Sequence, residues 1–340
     1  MKAVVVPRYG DPSVLEVRDL PEPVPGPGQL RVQVRAVGVN FADILARLGI
    51  YKAAPRPPFV PGLEVAGIVE QAGEKAGRLK AGDRVMAFCP FGGYAEKAVV
   101  PEDFVFPIPD DMSFPEAAAF PVQYLTAWYA LHEAARVRKG ETVLVHAAAG
   151  GVGIAALQLL RPLGARVFAT VGSAQKAAVV KEENADAVPI LYTEEDFAER
   201  IRRETGHGVD VVLDSIGGEV FRKSWNLLNP FGRHILFGAA AAVKPGAIAR
   251  LGALWRLRAM LLVSPLVMLD RNRTLAAFNL YYMASQGDLL REAAARMMEM
   301  RSRGLLKPRV GLALPLEKAV EAQRRMQERR TVGKVVLTVG

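Results

Sequence analysis

The chain has 340 residues, of which 51% are hydrophobic and 23% charged. This composition predicts a globular protein with a large hydrophobic core, and the length predicts two domains. Its single cysteine, Cys89, excludes an intrachain disulfide and a cysteine-rich zinc site. The net charge of +9 would suit a nucleic-acid surface, but the basic residues are dispersed and their densest run, 296–330, alternates with glutamate. We therefore predict solvated, salt-bridged faces and no nucleic-acid partner.

The first third of the chain is rich in short β-like segments separated by Gly and Pro. A short helix is predicted at 41–48, and the period-two segments predict a β-rich, barrel-like domain. The predicted strands lie at 1–7, 15–19, 30–39, 60–73, 83–88, 93–100 and 104–107.

From Ser113 onward, helical segments alternate with apolar β-branched ones, the pattern of a doubly wound parallel sheet. Strands are predicted at 142–146, 166–171, 187–190, 209–213, 234–238 and 259–264. The tail returns to the first domain, with helices at 271–285, 288–303 and 316–328 and strands at 308–311 and 333–339. The predicted fold class is α/β: a split β-rich domain (1–121 and 265–340) with an inserted doubly wound Rossmann domain (122–264).

The most apolar late segment, 251–269, does not qualify as a membrane span. Arg256 and Arg258 interrupt it, so it lacks the roughly 18 uncharged residues that a span requires. The apolar run at the N-terminus, residues 1–7, is too short for the apolar region of a signal peptide and is predicted to be a strand. We expect no membrane insertion and a cytoplasmic location.

A glycine-rich turn, His146-Ala-Ala-Ala-Gly-Gly-Val-Gly153, lies between a predicted buried strand and a predicted helix. Its glycines allow the backbone to approach a ligand and the helix to pack on the strand. The N–H groups at a helix start attract a pyrophosphate. The candidate cofactor-binding residues here are Ala149, Gly150, Gly151 and Val152. The alternative is a tight turn that binds no nucleotide.

The end of the second strand indicates which nucleotide binds. An NAD site usually carries Asp or Glu about 20 residues after the glycines. Here the strand ends Val171-Gly-Ser-Ala-Gln-Lys176, with no carboxylate. The Ser173 hydroxyl and the Lys176 ammonium suit a 2′-phosphate, although Lys176 could also be an ordinary solvated helix lysine. We predict NADPH as the cofactor.

These motifs, with Gly38-Val-Asn-Phe-Ala-Asp43 and Ala81-Gly-Asp-Arg-Val85, resemble the zinc-independent, zeta-crystallin-like quinone oxidoreductase branch of the medium-chain dehydrogenases/reductases. Residues 40–51 and Asn229-Pro-Phe-Gly232 are most similar to its vesicle amine transport protein homologues. The resemblance covers essentially the whole chain. It implies a GroES-like catalytic domain and an NADPH-dependent reductase of quinones or α,β-unsaturated carbonyls.

The resemblance also implies roles for individual residues. Asn40, Asp43 and Tyr51 are the expected catalytic residues, with Asp43 hydrogen-bonded to Asn40. Tyr51 lines the substrate pocket, where it either donates a proton or only shapes the pocket, since a phenol is a weak acid at neutral pH. Besides the glycine turn, the expected cofactor contacts are Asn40 and Thr126 at the nicotinamide end, Ser173, Lys176 and Tyr192 at the 2′-phosphate, and Ser215, Phe237, Gly238 and Lys334.

Both zinc sites of the related zinc enzymes are expected to be lost. The resemblance places Asn40 and Leu63 where those enzymes have a cysteine and a histidine, and their structural zinc needs four cysteines. The four histidines of this chain are scattered, without ligand spacing. We predict no metal.

A homodimer is expected through edge strands of the nucleotide domain, at His234–Gly238 and Ala259–Ser264. An unpaired apolar edge favours association, and a two-fold axis covers it on both chains. The alternative is a monomer in which the helix at 250–258 covers the edge. A second possible function is a regulatory or structural protein that binds NADPH with little turnover, because a fold does not guarantee chemistry.

Overall fold

A computed structural model describes residues 1–243, 257–258, 260 and 263–340. The strands are β1 (Lys2–Val5), β2 (Glu16–Asp19), β3 (Gln29–Val39), β4 (Glu64–Ala72), β5 (Arg84–Phe88), β6 (Lys97–Pro101), β7 (Val105–Pro107), β8 (Thr142–Val145), β9 (Arg166–Val171), β10 (Val188–Leu191), β11 (Val209–Asp214), β12 (Leu228–Leu236), β13 (Thr274–Ala277), β14 (Val310–Pro315) and β15 (Lys334–Thr338). The α-helices are α1 (Phe41–Arg47), α2 (Phe114–Ala118), α3 (Pro121–Trp128), α4 (Gly151–Leu160), α5 (Ala174–Glu183), α6 (Phe197–Thr205), α7 (Gly218–Leu227), α8 (Pro265–Arg271), α9 (Gly287–Ser302) and α10 (Ala319–Gln327).

The first unit, Met1–Leu125 with Leu280–Gly340, is built around β3. Every second residue from Leu30 to Ala36 is buried, so one face of this strand lies on the core. β3 pairs antiparallel with β4, β6 and β15. The predicted β-rich split domain is therefore confirmed.

The second unit, Thr126–Asn279, contains a parallel sheet in the order β10-β9-β8-β11-β12-β13. The four residues of β8 are all buried, as expected for a central parallel strand covered on both faces. The order of the strands reverses beside β8, the place where open α/β sheets bind ligands. The predicted Rossmann topology is confirmed.

The boundary between the units differs from the prediction at its second crossing, which lies after Asn279 and not after residue 264. The predicted helix at 271–285 is wrong, because Thr274–Ala277 form β13 and pair in parallel with β12. Asn272, at a φ of +48°, ends α8, and the Arg273 guanidinium donates to the carbonyl oxygens of Trp225 and Leu228. These contacts fix the start of the strand against local helix propensity.

The predicted edge strand at His234–Gly238 is also wrong as an edge, because β12 pairs on one side with β11 and on the other with β13. Of the predicted strand at 259–264, residues 259, 261 and 262 lie outside the described residues, and Ser264 is the N-cap of α8. Among the residues that the structure describes, no helix combines the length and the apolar character needed to span a membrane.

Candidate active site

The glycine-rich turn connects β8 to α4. Ala147 stands where the motif usually has glycine and adopts a φ of +50°. Gly150 is the N-cap of α4 and has no side chain to cap the N–H groups of the first turn, which are therefore left to a ligand or water. A Cβ at Gly153 would lie 2.5 Å from the carbonyl oxygens of Ala147 and Ala148, so only glycine allows the helix to start so close to the turn.

Ser173, Lys176 and Tyr192 lie at the carboxyl ends of β9 and β10. Ser173 is the N-cap of α5, and its hydroxyl accepts a hydrogen bond from the Lys176 backbone N–H at 3.4 Å. The Tyr192 hydroxyl lies over Gly172, 2.6 Å from where a Cβ would be. The structure thus brings two hydroxyls, a lysine and a helix N-terminus to one corner of the sheet, and residues 172–180 contain no carboxylate.

Ser215, Phe237 and Gly238 lie on the loops that follow β11 and β12, and these loops run side by side. The Phe237 N–H donates to the Asp214 carbonyl at 3.0 Å, and the Ala240 N–H donates to the Ser215 carbonyl at 3.1 Å. Thr126, on α3, is buried.

A buried Asp214–His234 pair holds the first of these loops. Asp214 Oδ2 accepts from His234 Nε2 at 3.0 Å, while Oδ1 accepts the N–H groups of Ile216 at 2.7 Å and Gly217 at 2.9 Å. Burial raises the pKa of the Asp214 carboxyl, but the hydrogen bond and charge of His234 outweigh this and hold the pKa below its usual value.

His146, directly after β8, makes two buried side-chain hydrogen bonds of its own. Its Nδ1 lies 2.9 Å from Thr170 Oγ1, and its Nε2 lies 2.8 Å from Ser224 Oγ. Burial lowers the pKa of His146 to about 4; the charge of Asp214 opposes this lowering, and a smaller effect of His234 adds to it. The imidazole is therefore neutral at pH 7.

In the first unit, the end of β3 and the starts of β4 and β15 bring Asn40, Glu64 and Lys334 together. Asn40 Nδ2 donates to Glu64 Oε1 at 2.8 Å, and Lys334 Nζ donates to Asn40 Oδ1 at 2.7 Å. Lys334 also forms an ion pair with Glu64. The exposed fractions of the three residues are 8%, 0% and 4% respectively, so this polar cluster is almost entirely shielded from water.

Asp43 lies beside the cluster, in the first turn of α1. Its carboxylate accepts the backbone N–H of Asn40 at 2.8 Å, the N–H of Gly62 at 3.2 Å and the hydroxyl of Tyr94 at 3.1 Å. The predicted hydrogen bond to Asn40 is thus present, but it reaches the backbone and not the amide. Burial raises the pKa of Asp43 to about 6, although its hydrogen bonds and the Lys334 charge oppose the rise. Burial beside Asp43 raises the pKa of Tyr94 well above its usual value.

Comparison with known proteins places this geometry in a family. The family described as alcohol dehydrogenase GroES-like domain matches residues 26–110, and the zinc-binding dehydrogenase family matches residues 184–337. A synaptic vesicle membrane protein VAT-1 homolog of Mus musculus is 39% identical, covering 100% of this chain and 84% of that protein. The structure of Escherichia coli quinone oxidoreductase complexed with NADPH is 30% identical, with a TM-score of 0.87 and coverage of 99% of this chain and 100% of that one. A mycobacterial protein complexed with NADPH is 35% identical, with a TM-score of 0.88 and coverage of 99% of both chains.

The chain belongs to the medium-chain dehydrogenase/reductase superfamily. Its resemblance to the quinone oxidoreductase and vesicle amine transport protein branches, inferred from the motifs, is confirmed.

Zinc-dependent members of the superfamily hold their metal with cysteine and histidine. Where the resemblance places those ligands, this chain has Asn40, whose amide is bound to Glu64 and Lys334, and the buried Leu63. Within the described ranges, no group of three or more His, Cys, Asp or Glu side chains could hold a metal. Metal independence stays a prediction that rests on these residue types.

Tyr51 packs in an aromatic cluster of the same unit. Its ring centroid lies 6.3 Å from that of Phe91, which contacts Phe59 at 5.8 Å and Tyr281 at 5.7 Å. Tyr51 is half-buried, whereas Phe91 is almost wholly covered. The cluster is an apolar wall with phenolic hydroxyls, suited to a planar apolar ligand.

Sequence reasoning misses Glu64, Tyr94 and the His146 network. Glu64 is the first residue of an apolar strand, which could indicate a buried carboxylate, and a buried carboxylate needs a partner. Nothing in the local sequence identifies its partner, Lys334, which is 270 residues further along the chain (334 − 64). The histidines look isolated because β8 and β12 are neighbours of β11, not of each other, in the sheet.

His146→Gln should reduce the pH dependence of stability. The pKa of His146 is about 4 in the folded protein and has an ordinary value of 6.5, so the unfolded chain binds more protons between these values. The free energy of unfolding therefore falls as pH drops from about 6.5 to 4, by up to about 3 kcal/mol from this residue. Asp43 acts in the opposite sense, because its raised pKa makes the folded state bind more protons, but it is common to both proteins.

Urea unfolding at several pH values between 4 and 7 measures this difference. The control is His207→Gln, at an exposed histidine, and its stability should change with pH as that of the wild type does. Equal pH slopes for wild type and His146→Gln would contradict the assignment of His146 as a buried neutral residue.

Proposed function

We propose that this chain is an NADPH-dependent oxidoreductase that reduces quinones or α,β-unsaturated carbonyls without a metal. The observation that carries the proposal is the corner formed by Ser173, Lys176 and Tyr192 next to the glycine turn. Two hydroxyls and a lysine, with no carboxylate in the segment 172–180, suit the 2′-phosphate that distinguishes NADPH from NADH. The E. coli quinone oxidoreductase and the mycobacterial neighbour are complexed with NADPH, which supports the same cofactor here.

The residues of the second unit fit the phosphate groups of this cofactor. The first turn of α4, with Ala149, Gly150, Gly151 and Val152, would bind the pyrophosphate through backbone N–H groups. The loops with Ser215, Phe237 and Gly238 follow strand ends, where dinucleotides lie in open sheets. The resemblance assigns Asn40 and Thr126 to the nicotinamide end of the cofactor and Lys334 to a phosphate or a ribose.

NADPH, when bound, supplies a hydride to an electron-poor carbon of the substrate. The protein's residues bind, orient and exclude water. The aromatic cluster of Tyr51 and Phe91 would hold a planar acceptor, and Tyr51 either donates a proton to it or only shapes its site. Asp43 would act indirectly, by fixing the backbone at Asn40.

The second candidate is an NADPH-binding protein with little turnover. It is favoured by the mouse relative, whose name describes a synaptic vesicle membrane protein and no reaction. The two candidates differ in turnover and not in binding.

Absorbance loss of NADPH in the presence of quinones and enals tests the function. Purified protein dialysed against a chelator should oxidise NADPH only when an acceptor is added, and elemental analysis should find no stoichiometric zinc. Tight NADPH binding without turnover on any acceptor would favour the second candidate. Activity regained only with added Zn²⁺ would contradict metal independence.

Lys176→Ala should weaken NADPH binding by about 1–3 kcal/mol, because a charge-assisted contact with the 2′-phosphate is lost. NADH has no such phosphate, so its affinity should change little. Lys181→Ala, further along the same helix, is the matched control. Equal losses for the two cofactors in a titration would overturn the assignment of Lys176.

We also propose a homodimer, formed by two-fold pairing of β13 in place of the strand first expected. β13 ends the order of the sheet, and its neighbours Phe231, Leu266 and Leu269 are 75%, 72% and 72% exposed. Exposed apolar side chains beside a strand that has no further partner among the described residues favour association. Light scattering should give about twice the 36.8 kDa chain mass, and a species near that single mass at micromolar concentration would reject the dimer.

A further inference from the structure

Glu64 lies between Asn40 and Lys334 and is not among the expected cofactor contacts. We infer that it is the positioning residue of the nicotinamide half of the site, where it sets the polarity of the Asn40–Lys334 pair so that the pair recognises a ribose hydroxyl. This inference rests on the proposed NADPH binding. It concerns three residues that β3, β4 and β15 bring together.

The Asn40 amide has only one possible orientation. A carboxylate can only accept hydrogen bonds and an ammonium can only donate them, so the amide nitrogen must face Glu64 and the amide oxygen must face Lys334. The second amide N–H donates to the Gly38 carbonyl at 3.2 Å. Both N–H groups of Asn40 are therefore used within the protein, and its side chain can offer a ligand only the second lone pair of Oδ1.

Lys334 complements this acceptor with a donor. An ammonium carries three N–H groups, and two of them donate to Asn40 Oδ1 and to Glu64. The third has no acceptor among the residues that the structure describes. An acceptor and a donor whose atoms are 2.7 Å apart match a hydroxyl group, which donates and accepts at one oxygen. A carbonyl could use only the lysine, so a ribose hydroxyl fits this pair better than a substrate carbonyl.

Glu64 is held in place from three sides. Its other oxygen, Oε2, accepts the N–H of Val122 at 2.9 Å, in the first turn of α3, the helix that carries Thr126. Gly38 allows the carboxylate to come close, since a Cβ there would lie 2.5 Å from Glu64 Oε1. A carboxylate with 0% exposure needs a counter-charge, and Lys334 supplies it. One side chain thus connects Asn40, Lys334 and α3.

The test measures NADPH affinity and thermal stability in Glu64→Gln, Glu64→Asp, Lys334→Met and the Glu64→Gln/Lys334→Met double variant. In Glu64→Gln the side chain keeps only one acceptor atom, so either Val122 N–H or the Asn40–Lys334 pair loses its acceptor, and Lys334 loses its counter-charge in both cases. The pair is then no longer held in one arrangement, and the Kd for NADPH should rise about tenfold or more. Glu64→Asp keeps the charge but is one methylene shorter, and should weaken binding at least threefold with little loss of Tm.

The double variant separates positioning from stability. Removing both buried charges should recover Tm relative to Glu64→Gln, while NADPH affinity stays low. The two single effects should also fail to multiply, because Glu64 acts partly through Lys334. Glu141→Gln is the matched control: Glu141 pairs with Arg233 in the other unit and accepts a backbone N–H, so this variant should lose Tm but keep the Kd within about twofold.

Two results would overturn the inference alone: wild-type affinity in both Glu64 variants, or recovery of affinity together with Tm in the double variant. If Glu64→Gln does not fold, Glu64→Asp and the double variant still decide it. A wild-type protein that fails to bind NADPH would overturn the proposed function as well, whereas binding without quinone turnover leaves this test intact.

Discussion

The antiparallel pairing of β15, β3 and β4 is the constraint on which the first unit depends. β15 comes from the last residues of the chain, yet Val335 lies opposite Val39 in the register, and Val65 lies opposite Val37 on the other side of β3. Adjacent antiparallel strands put the end of one strand beside the start of the next. This register therefore brings Lys334, Asn40 and Glu64 together. A shift of one residue would turn these side chains to the opposite face.

The second unit uses a different device to place its polar groups. Parallel strands end at one edge of a sheet, and the loops after β8, β9, β11 and β12 therefore lie at that edge. The buried Asp214–His234 pair ties the loop after β11 to the neighbouring strand. A hydrogen bond is worth most where water cannot compete, so the loop with Ser215 is held by groups that never reach the surface.

Burial also shifts the pKa of a titratable group in each unit. Asp43 and His146 are both fully enclosed, and in each case the neutral form is favoured, which raises the pKa of the acid and lowers that of the base. Glu64 is equally enclosed but lies against an ammonium. Equally complete burial therefore gives a neutral histidine at His146 and an ion pair at Glu64 and Lys334, because the fold supplies a different partner at each place.

The sequence by itself determined the features that depend on neighbouring residues. The strand, glycine turn and helix at 142–163, the absence of a carboxylate after Val171 and the alternation of β and α segments all follow from local spacing, and they were enough to predict the Rossmann topology. Tertiary structure decided what depends on distant partners. Thr274–Ala277 form a strand because β12 has an edge to pair. The Asn40 side chain keeps only an acceptor for a ligand, because its two amide N–H groups donate to Glu64 and Gly38. Local propensity carries no information about which segments meet, since pairing is selected by the burial and hydrogen bonding of the whole chain.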